Sequence, residues 1–203
     1  MLLEAPRSAD LKALDVDLTI IGGGPVGIVT ALEARAKGWR VLLLESGLTR
    51  RDADIQSQSD ETIETLKTHH PGTITTARRL GGAGHLWGGR CVPFDPIDFT
   101  ARPWLPGLET PWPITTDDIA PYLAPALSYL GAGGPRFDAP LSDAGQREPR
   151  FDATRLERWT QDPRIERRHM ERLRDDADLH VALGVTVIGA HIREDDGAKG
   201  IAA

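Results

Sequence analysis

The chain has 203 residues, a formal net charge of −6 and a sequence isoelectric point near 5.5. This acidic balance disfavours nucleic acid or an anionic membrane as the main partner. Cys91 is the sole cysteine, which excludes an internal disulfide and a cysteine-based zinc site and is compatible with a reducing compartment.

The N-terminal segment, residues 1–16, is acidic and has no apolar stretch of the signal-peptide type. It is predicted to be a frayed leader with at most one amphipathic turn. No apolar run in the sequence approaches the roughly 20 residues of a membrane-spanning helix. These features together predict a cytoplasmic protein without a membrane span.

Residues 17–45 have the pattern of a dinucleotide-binding βαβ unit. The apolar run at 18–21 predicts a strand that leads directly into the glycine-rich turn GGGPVG at 22–27. A helix is predicted over 25–37, with a proline in its first turn and a glycine directly after its end. The unbroken apolar run at 41–44 is typical of a parallel strand covered on both faces.

The glycines and the acidic residue that closes this unit occupy the positions of the dinucleotide motif. Gly22 allows the turn off the strand, Gly24 allows close approach of a pyrophosphate, and Gly27 allows the helix to pack closely on the sheet. Glu45 is placed to accept hydrogen bonds from ribose hydroxyls, and its charge disfavours a 2′-phosphate and therefore NADP. The alternative is that the glycines only form a turn.

A second glycine-rich segment, ARRLGGAGHLWGGR at residues 77–90, follows a polar excursion in which an exposed helix is predicted over 54–67. A plain nicotinamide-binding domain does not require this second segment. Several glycines around one tryptophan indicate backbone packed against a bulky planar or phosphorylated partner, because each glycine adds to the entropy lost on folding. The alternative is a flexible loop.

Residues 93–113 are rich in proline and aromatic side chains, which predicts an irregular segment packed by its own aromatic residues. A helix is predicted to start at Thr115 or Thr116, to be kinked or divided by Pro125, and to end at 131–134.

The remainder of the chain is predicted to be a loop with a candidate domain boundary at 135–150, an edge strand at 151–159 and a charged helix at 164–176. The alternating apolar residues beyond this helix predict short strands and one turn. Those strands lie at 179–183, 185–187, 191–193 and 200–202, with the turn at 195–197.

The segment RRLGGAGHLWGGRCVPFDPIDF at 78–99, with Trp104, WPI at 112–114 and DIAPY at 118–122, resembles the glucose-methanol-choline oxidoreductase family. The likeness is to its bacterial sugar and polyol dehydrogenases and its pyranose-oxidase-like members. It covers the chain from about Asp17 onwards, except for 48–76.

The fold predicted from the pattern and the resemblance is α/β, with a Rossmann-like FAD-binding βαβ unit, a parallel sheet, an irregular Trp/Pro-rich segment and short β-strands. Residues 17–100 hold the βαβ unit and the second FAD motif. Residues 101–150 form an irregular or helical excursion, and 151–203 return to the FAD domain.

The resemblance implies that both glycine segments contact FAD. The first motif and Arg79 lie near the phosphates, the second motif lies along the ribityl and flavin portions, and Val187 contacts adenine through its backbone. The implied cofactor-binding residues are Gly22, Gly24, Pro25, Val26, Gly27, Glu45, Ser46, Arg79, Gly81, Gly82, Gly84, His85, Leu86, Trp87, Gly88 and Val187.

One departure from the family pattern concerns flavin attachment. Some relatives bind FAD covalently through a histidine directly before the motif tryptophan, and here that position is Leu86, with His85 one residue earlier. A shift of one residue in an extended segment turns a side chain to the opposite face. FAD is therefore predicted to be non-covalent, and the favoured interpretation of His85 is a loop histidine bonded to backbone.

The family places its catalytic histidine, with a histidine or asparagine partner, near the C-terminus of a much longer chain, so no catalytic residue is assigned here. The remaining histidines match no catalytic or metal-binding pattern. They are His69, His70, His169, His180 and His191.

The resemblance implies the FAD-binding N-terminal part of an oxidoreductase that oxidises a CH–OH group of a sugar, polyol or alcohol by hydride transfer to flavin N5. This chain alone is expected to be inactive, with the catalytic part or an electron-acceptor partner supplied separately. One alternative is an FAD-carrying subunit without its own catalysis. Another is a different FAD enzyme class, such as a monooxygenase or an isoprenoid reductase.

Overall fold

A computed structural model describes residues 1–59, 70–107, 109–137, 157–195 and 198–202. The chain divides into two compact units. The first unit comprises Met1–Leu86 and Arg164–Ala203, and the second unit comprises Trp87–Pro163.

The described strands are β1 (Leu2–Glu4), β2 (Leu18–Ile21), β3 (Val41–Glu45), β4 (Arg90–Cys91), β5 (Arg158–Trp159), β6 (Leu179–Leu183), β7 (His191–Asp195) and β8 (Ala198–Ala202). The described α-helices are α1 (Ser8–Lys12), α2 (Pro25–Ala36), α3 (Ala53–Ser57), α4 (Gly72–Thr75), α5 (Thr116–Ile119), α6 (Leu123–Leu130) and α7 (Ile165–Asp175). Short 3-10 segments lie at Gly82–His85, Pro96–Phe99 and Ala120–Tyr122.

The first unit is built on a four-stranded parallel sheet with the strand order β1-β6-β3-β2. Strand β3 is central, with Val41 beside Leu18 of β2 on one side and beside Leu179 of β6 on the other. Its apolar run is buried, as the sequence predicts for a covered parallel strand. The mixed α/β class and the parallel sheet of the prediction are confirmed.

Helices α2 and α7 complete the core of the first unit. Ile28 and Leu32 of α2 and Leu173 of α7 are fully buried, so each helix contributes an apolar face. Helix α2 ends where Gly38 adopts a φ of +84°, as its predicted C-terminal glycine requires. Arg35 links the two helices, because its guanidinium donates to the carboxylate of Asp176 directly beyond α7.

The structure of residues 1–16 differs from the predicted leader. Strand β1 forms the edge of the parallel sheet, with Leu2 paired to Val181 and Glu4 paired to Leu183. Helix α1 supplies the single expected turn, with Asp10 bonded to Arg7. An edge strand pairs on one side only and can be very short, so three residues produce no periodic signal in the sequence.

The chain beyond β6 differs from its predicted pattern at one point. Residues 184–190 are irregular, so the strand predicted at Val185–Val187 is absent. The N–H of Val185 instead donates to the carbonyl of Glu45, and that of Gly184 to the carbonyl of Gly47. Strands β7 and β8 form a separate antiparallel pair that includes the strand segments predicted at 191–193 and 200–202, and residues 196 and 197 of the predicted turn lie outside the described residues.

The second unit has short elements and mostly irregular backbone, as predicted for its Trp/Pro-rich part. Strands β4 and β5 pair antiparallel, and the rings of Phe94 and Phe99 meet edge to face with centroids 5.8 Å apart. Trp104 and Trp112 are 66% and 62% exposed, so self-packing of the aromatic residues is only partial.

The predicted helix in the second unit is divided, although not at Pro125. Helix α5 begins after Thr115, whose side chain forms a capping box with Asp118. The division occurs at the 3-10 segment Ala120–Tyr122, and Pro125 is tolerated early in α6. Gly131, with a φ of +64°, ends α6 as predicted.

Two further predictions fall partly outside the described residues. Of the helix predicted at 54–67, α3 is seen at Ala53–Ser57, while 60–69 lie outside the description, as do 138–156 of the predicted loop and edge strand. Across the described ranges, no helix has the length and apolar character needed to cross a membrane.

Candidate functional site

The first glycine turn joins β2 to α2 in the first unit. Gly22 has a φ of +101°, and its N–H donates to the carbonyl of Leu44 over 2.8 Å. Gly24 is the N-cap of α2, Pro25 is the first helical residue, and no side chain caps this helix end. Val26, in the same first turn, is 81% exposed. Among the described residues, no side chain accepts from the first-turn N–H groups of α2, and free N–H groups at a helix N-terminus favour an anion.

Two glycines of this turn are needed for different reasons. A Cβ on Gly27 would lie 1.9 Å from the carbonyl oxygen of Gly22, so only glycine allows the helix to lie this close to the strand end. A Cβ on Gly24 would meet no atom within 4 Å, and the backbone of Gly24 is extended, with a φ of −76°. Nothing in the described protein requires glycine at Gly24, which leaves open space beside the first turn of α2.

Glu45 closes β3 and is buried, with 5% of its surface exposed. The N–H of Gly23 donates to its Oε2 and the N–H of Gly47 donates to its Oε1, each over 2.7 Å. The Ser46 hydroxyl donates to Oε1 over a longer 3.3 Å. A carboxylate accepts about four hydrogen bonds, so rotation of Ser46 leaves one acceptor position on each oxygen. Glu45 therefore holds the first glycine turn and retains capacity for two further donors.

The second glycine turn, Arg79–Leu86, lies directly against the first. The N–H of Gly81 donates to the carbonyl of Gly23 over 2.8 Å. A Cβ on Gly82 would lie 3.0 Å from the Cα of Gly24, and Gly84 is buried within the turn. The two glycine-rich segments that the sequence assigns to one cofactor are thus brought together.

Arg79 is only partly engaged by protein groups. Its backbone forms a parallel bridge with Leu48, and its Nη2 donates to the carbonyl of Thr49 over 2.6 Å. Its Nε is buried and has no hydrogen-bond partner within the described part of the chain. A buried guanidinium N–H without an acceptor is unfavourable, so Arg79 keeps one donor that the described protein groups do not use.

His85 and Leu86 end the second turn in different environments. The Nε2 of His85 lies 3.1 Å from the carbonyl oxygen of Leu80 and 3.2 Å from Oε1 of Glu166. Because a carbonyl only accepts hydrogen bonds, Nε2 carries the proton. Leu86 is 50% exposed.

Glu166 is the residue of this region that the sequence did not indicate. It lies in the first turn of α7, its side chain is 4% exposed, and its Oε2 has no hydrogen-bond partner among the described residues. In the local sequence, Glu166 is one of three acidic residues in a charged helix. Only the fold identifies Glu166, because it is buried whereas the other acidic residues of α7 are exposed.

The remaining predicted residues are not all in the first unit. Trp87 and Gly88 belong to the second unit, where Nε1 of Trp87 donates to the carbonyl of Pro163 over 3.1 Å. Val187 belongs to the irregular segment after β6 and is 39% exposed. The first unit therefore contains the predicted site residues except Trp87 and Gly88.

Comparisons with known proteins give no family assignment. No protein-family model matches the chain, and no curated protein matches it significantly. In the described ranges, no group of three or more His, Cys, Asp or Glu side chains is arranged to hold a metal ion. The functional conclusion therefore rests on the two glycine turns, on Glu45 and on the resemblance of the sequence motifs.

Proposed function

We propose that this chain binds FAD non-covalently and is the cofactor-binding part of a flavin-dependent oxidoreductase of the glucose-methanol-choline type. The observation that carries the proposal is the contact between the two glycine turns beside the buried carboxylate of Glu45. A nicotinamide site requires only the first turn, whereas the second turn extends the same binding surface.

The adenosine end of the cofactor is assigned to Glu45. Its carboxylate lies at the end of β3, where a dinucleotide-binding fold places its ribose-binding acid, and it retains one acceptor position per oxygen. The same charge repels a 2′-phosphate. The backbone N–H groups of Gly23 and Gly47 fix the carboxylate before any ligand binds, which lowers the entropy lost on binding.

The pyrophosphate is assigned to the space beside Gly24. This space adjoins the uncapped N-terminus of α2, and a side chain at Gly24 would enter it. Anions are stabilised at helix N-termini by free N–H groups and by the helix dipole. The sequence resemblance implies that Arg79 meets the same phosphates, and a guanidinium is well suited to bind them.

Non-covalent attachment is supported by the environment of His85. Its Nε2 faces Glu166 and Leu80, so this nitrogen is already engaged inside the protein. Leu86, at the position of the attachment histidine in some relatives, has no nucleophile. Both observations favour a flavin held by hydrogen bonds and packing alone.

Bound FAD would supply the hydride-accepting N5 for oxidation of a CH–OH group. The residues of this chain bind and orient the cofactor: Glu45 holds the ribose, and the first turn of α2 with Arg79 neutralises phosphate charge. The proton acceptor for the substrate hydroxyl is not assigned to a residue of this chain. The sugar, polyol or alcohol class of substrate rests on the sequence resemblance.

The proposal is tested by measuring whether the purified chain binds FAD. We expect retention of flavin through gel filtration, quenching or enhancement of flavin fluorescence on titration, and a higher melting temperature with FAD than with NAD or NADP. Acid precipitation should leave the flavin in the supernatant. A chain that stays colourless and gains no thermal stability from FAD refutes the proposal, and flavin in the washed precipitate refutes non-covalent attachment.

A further inference from the structure

We propose that Glu166, together with His85, is a positioning residue that holds the second glycine turn against the first and thereby sets the affinity for the flavin-bearing part of FAD. This inference rests on the proposed function, because it assigns a role within the same site. It concerns a residue outside both glycine motifs.

Glu166 is a buried carboxylate with few partners among the described residues. Within the described part of the chain, Oε1 of Glu166 lies 3.2 Å from Nε2 of His85, and Oε2 has no hydrogen-bond partner. Burial of a charged group is unfavourable unless the surrounding structure compensates it. The first turn of α7 provides part of this compensation, since acidic side chains are stabilised near a helix N-terminus.

Glu166 and His85 both lie against Gly81. A Cβ on Gly81 would lie 2.2 Å from Oε2 of Glu166 and 2.9 Å from Nε2 of His85. The pair therefore fills the space on the side-chain face of Gly81, whose φ of +92° also favours glycine. The turn is confined between this pair and Gly23, which accepts from the Gly81 N–H.

The position of Gly81 affects the proposed ligand site through Gly82. Gly82 follows Gly81 and lies against Gly24, beside the proposed pyrophosphate space. A displacement of Gly81 would therefore move Gly82 relative to the proposed pyrophosphate space. Glu45 and its two backbone donors would stay in place. Glu166 is expected to affect ligands that reach the second turn more than ligands that reach only Glu45.

The test is a comparison of FAD with AMP as ligands of the Glu166→Gln variant. AMP carries the ribose that meets Glu45 but lacks the flavin-bearing half. We expect FAD affinity to fall about tenfold, because the substitution replaces the charged acceptor opposite His85 with a neutral one, and AMP affinity should stay within twofold of the parent. Glu171→Gln, an exposed acid on the same helix, is the matched control and should leave both affinities unchanged.

Equal losses of FAD and AMP affinity, or an unchanged FAD affinity, would overturn the inference. His85→Leu is the second variant should Glu166→Gln fail to fold, and it should give the same selective loss of FAD affinity. Retention of parental FAD affinity by the folded His85→Leu protein would also contradict the role of the pair.

Hydrogen exchange separates this inference from the proposed function. In the ligand-free protein, Glu166→Gln should speed exchange of the Gly81 amide and leave that of Leu43 in the sheet unchanged. If the parent chain binds neither ligand, the proposed function fails, and the exchange rates alone decide whether Glu166 holds the turn. An unchanged Gly81 rate rules that out.

Discussion

The N–H of Gly81 donates to the carbonyl oxygen of Gly23 over 2.8 Å, so one hydrogen bond joins the two glycine-rich segments. The same Gly23 donates its own N–H to Oε2 of Glu45. Gly23 therefore connects Glu45, at the end of β3, to the second glycine turn through two hydrogen bonds. A change at either buried glutamate is expected to act on the turn next to it.

The two glycines of the first turn provide the sharpest test of the cofactor site. Gly24→Ala should leave the free energy of unfolding within about 0.5 kcal/mol of the parent, because its Cβ has open space and its φ of −76° is ordinary. The added methyl group would occupy the proposed pyrophosphate space and weaken FAD binding by tenfold or more. Calorimetric titration and urea unfolding measure the two effects separately.

Gly27→Ala is the structural counterpart. Its Cβ would approach the Gly22 carbonyl oxygen to 1.9 Å, which forces α2 away from the strand end. We expect a loss of about 1–3 kcal/mol in the free energy of unfolding, as for other overpacked sites. An unfolding midpoint equal to that of the parent would mean that α2 does not lie this close to β2.

The βαβ unit was predictable because its signals are local. Strand, glycine turn, helix and second strand follow one another within residues 17–45, and the C-terminal glycine of α2 is directly visible in the sequence. The apolar run of β3 indicates burial on both faces without knowledge of its neighbours. The charged sequence at 164–176 predicted helix α7, and the alternation of Leu179, Val181 and Leu183 predicted strand β6.

The remaining features depend on contacts between distant parts of the chain. Glu166 looks like any other acid of α7 until the fold brings it to Gly81. Strand β1 is too short to show alternation, and the alternation of Val185 and Val187 corresponds to irregular backbone that bonds to the end of β3. A period of two describes side-chain direction in a strand, but pairing decides whether the strand forms.

Glu45→Gln should weaken both the fold and the proposed ligand site. One of the two backbone N–H groups would face the amide nitrogen instead of an oxygen, so we expect a loss of about 1–3 kcal/mol in unfolding free energy. FAD and AMP affinities should both fall about tenfold, in contrast to Glu166→Gln. Glu4→Gln, an exposed acid ending β1 of the same sheet, should change neither quantity, and equal effects of the two variants would contradict the role of Glu45.

Arg35→Met tests whether stability and ligand binding can be separated. The guanidinium donates to Asp176 and Asp178, with Nη2 of Arg35 3.1 Å from Oδ2 of Asp178, and its side chain is only 15% exposed. Removing it should lower the unfolding free energy by about 1–2 kcal/mol and leave FAD affinity unchanged. Arg7→Met, which removes an exposed ion pair with Asp10, should change stability little. Weaker FAD binding by the Arg35→Met variant would mean that the contact of Arg35 with Asp176 and Asp178 also affects the proposed cofactor site.

The stability of the protein at acidic pH should depend on the ion pair between Asp17, directly before β2, and Arg40. Hydrogen bonds from the Arg40 guanidinium and backbone lower the pKa of Asp17 to about 2, from a model-compound value of 3.8. Because the pKa of Asp17 is lower in the folded state, this ion pair stabilises the protein fully at pH values above the unfolded-state pKa. The stabilisation is lost as the pH falls from about 4 to about 2. Asp17→Asn should remove that part of the pH dependence of urea unfolding, leaving the difference between parent and variant largest near neutral pH. High salt should reduce the difference, because both side chains are solvent-accessible, and a difference that grows on acidification would contradict the assignment.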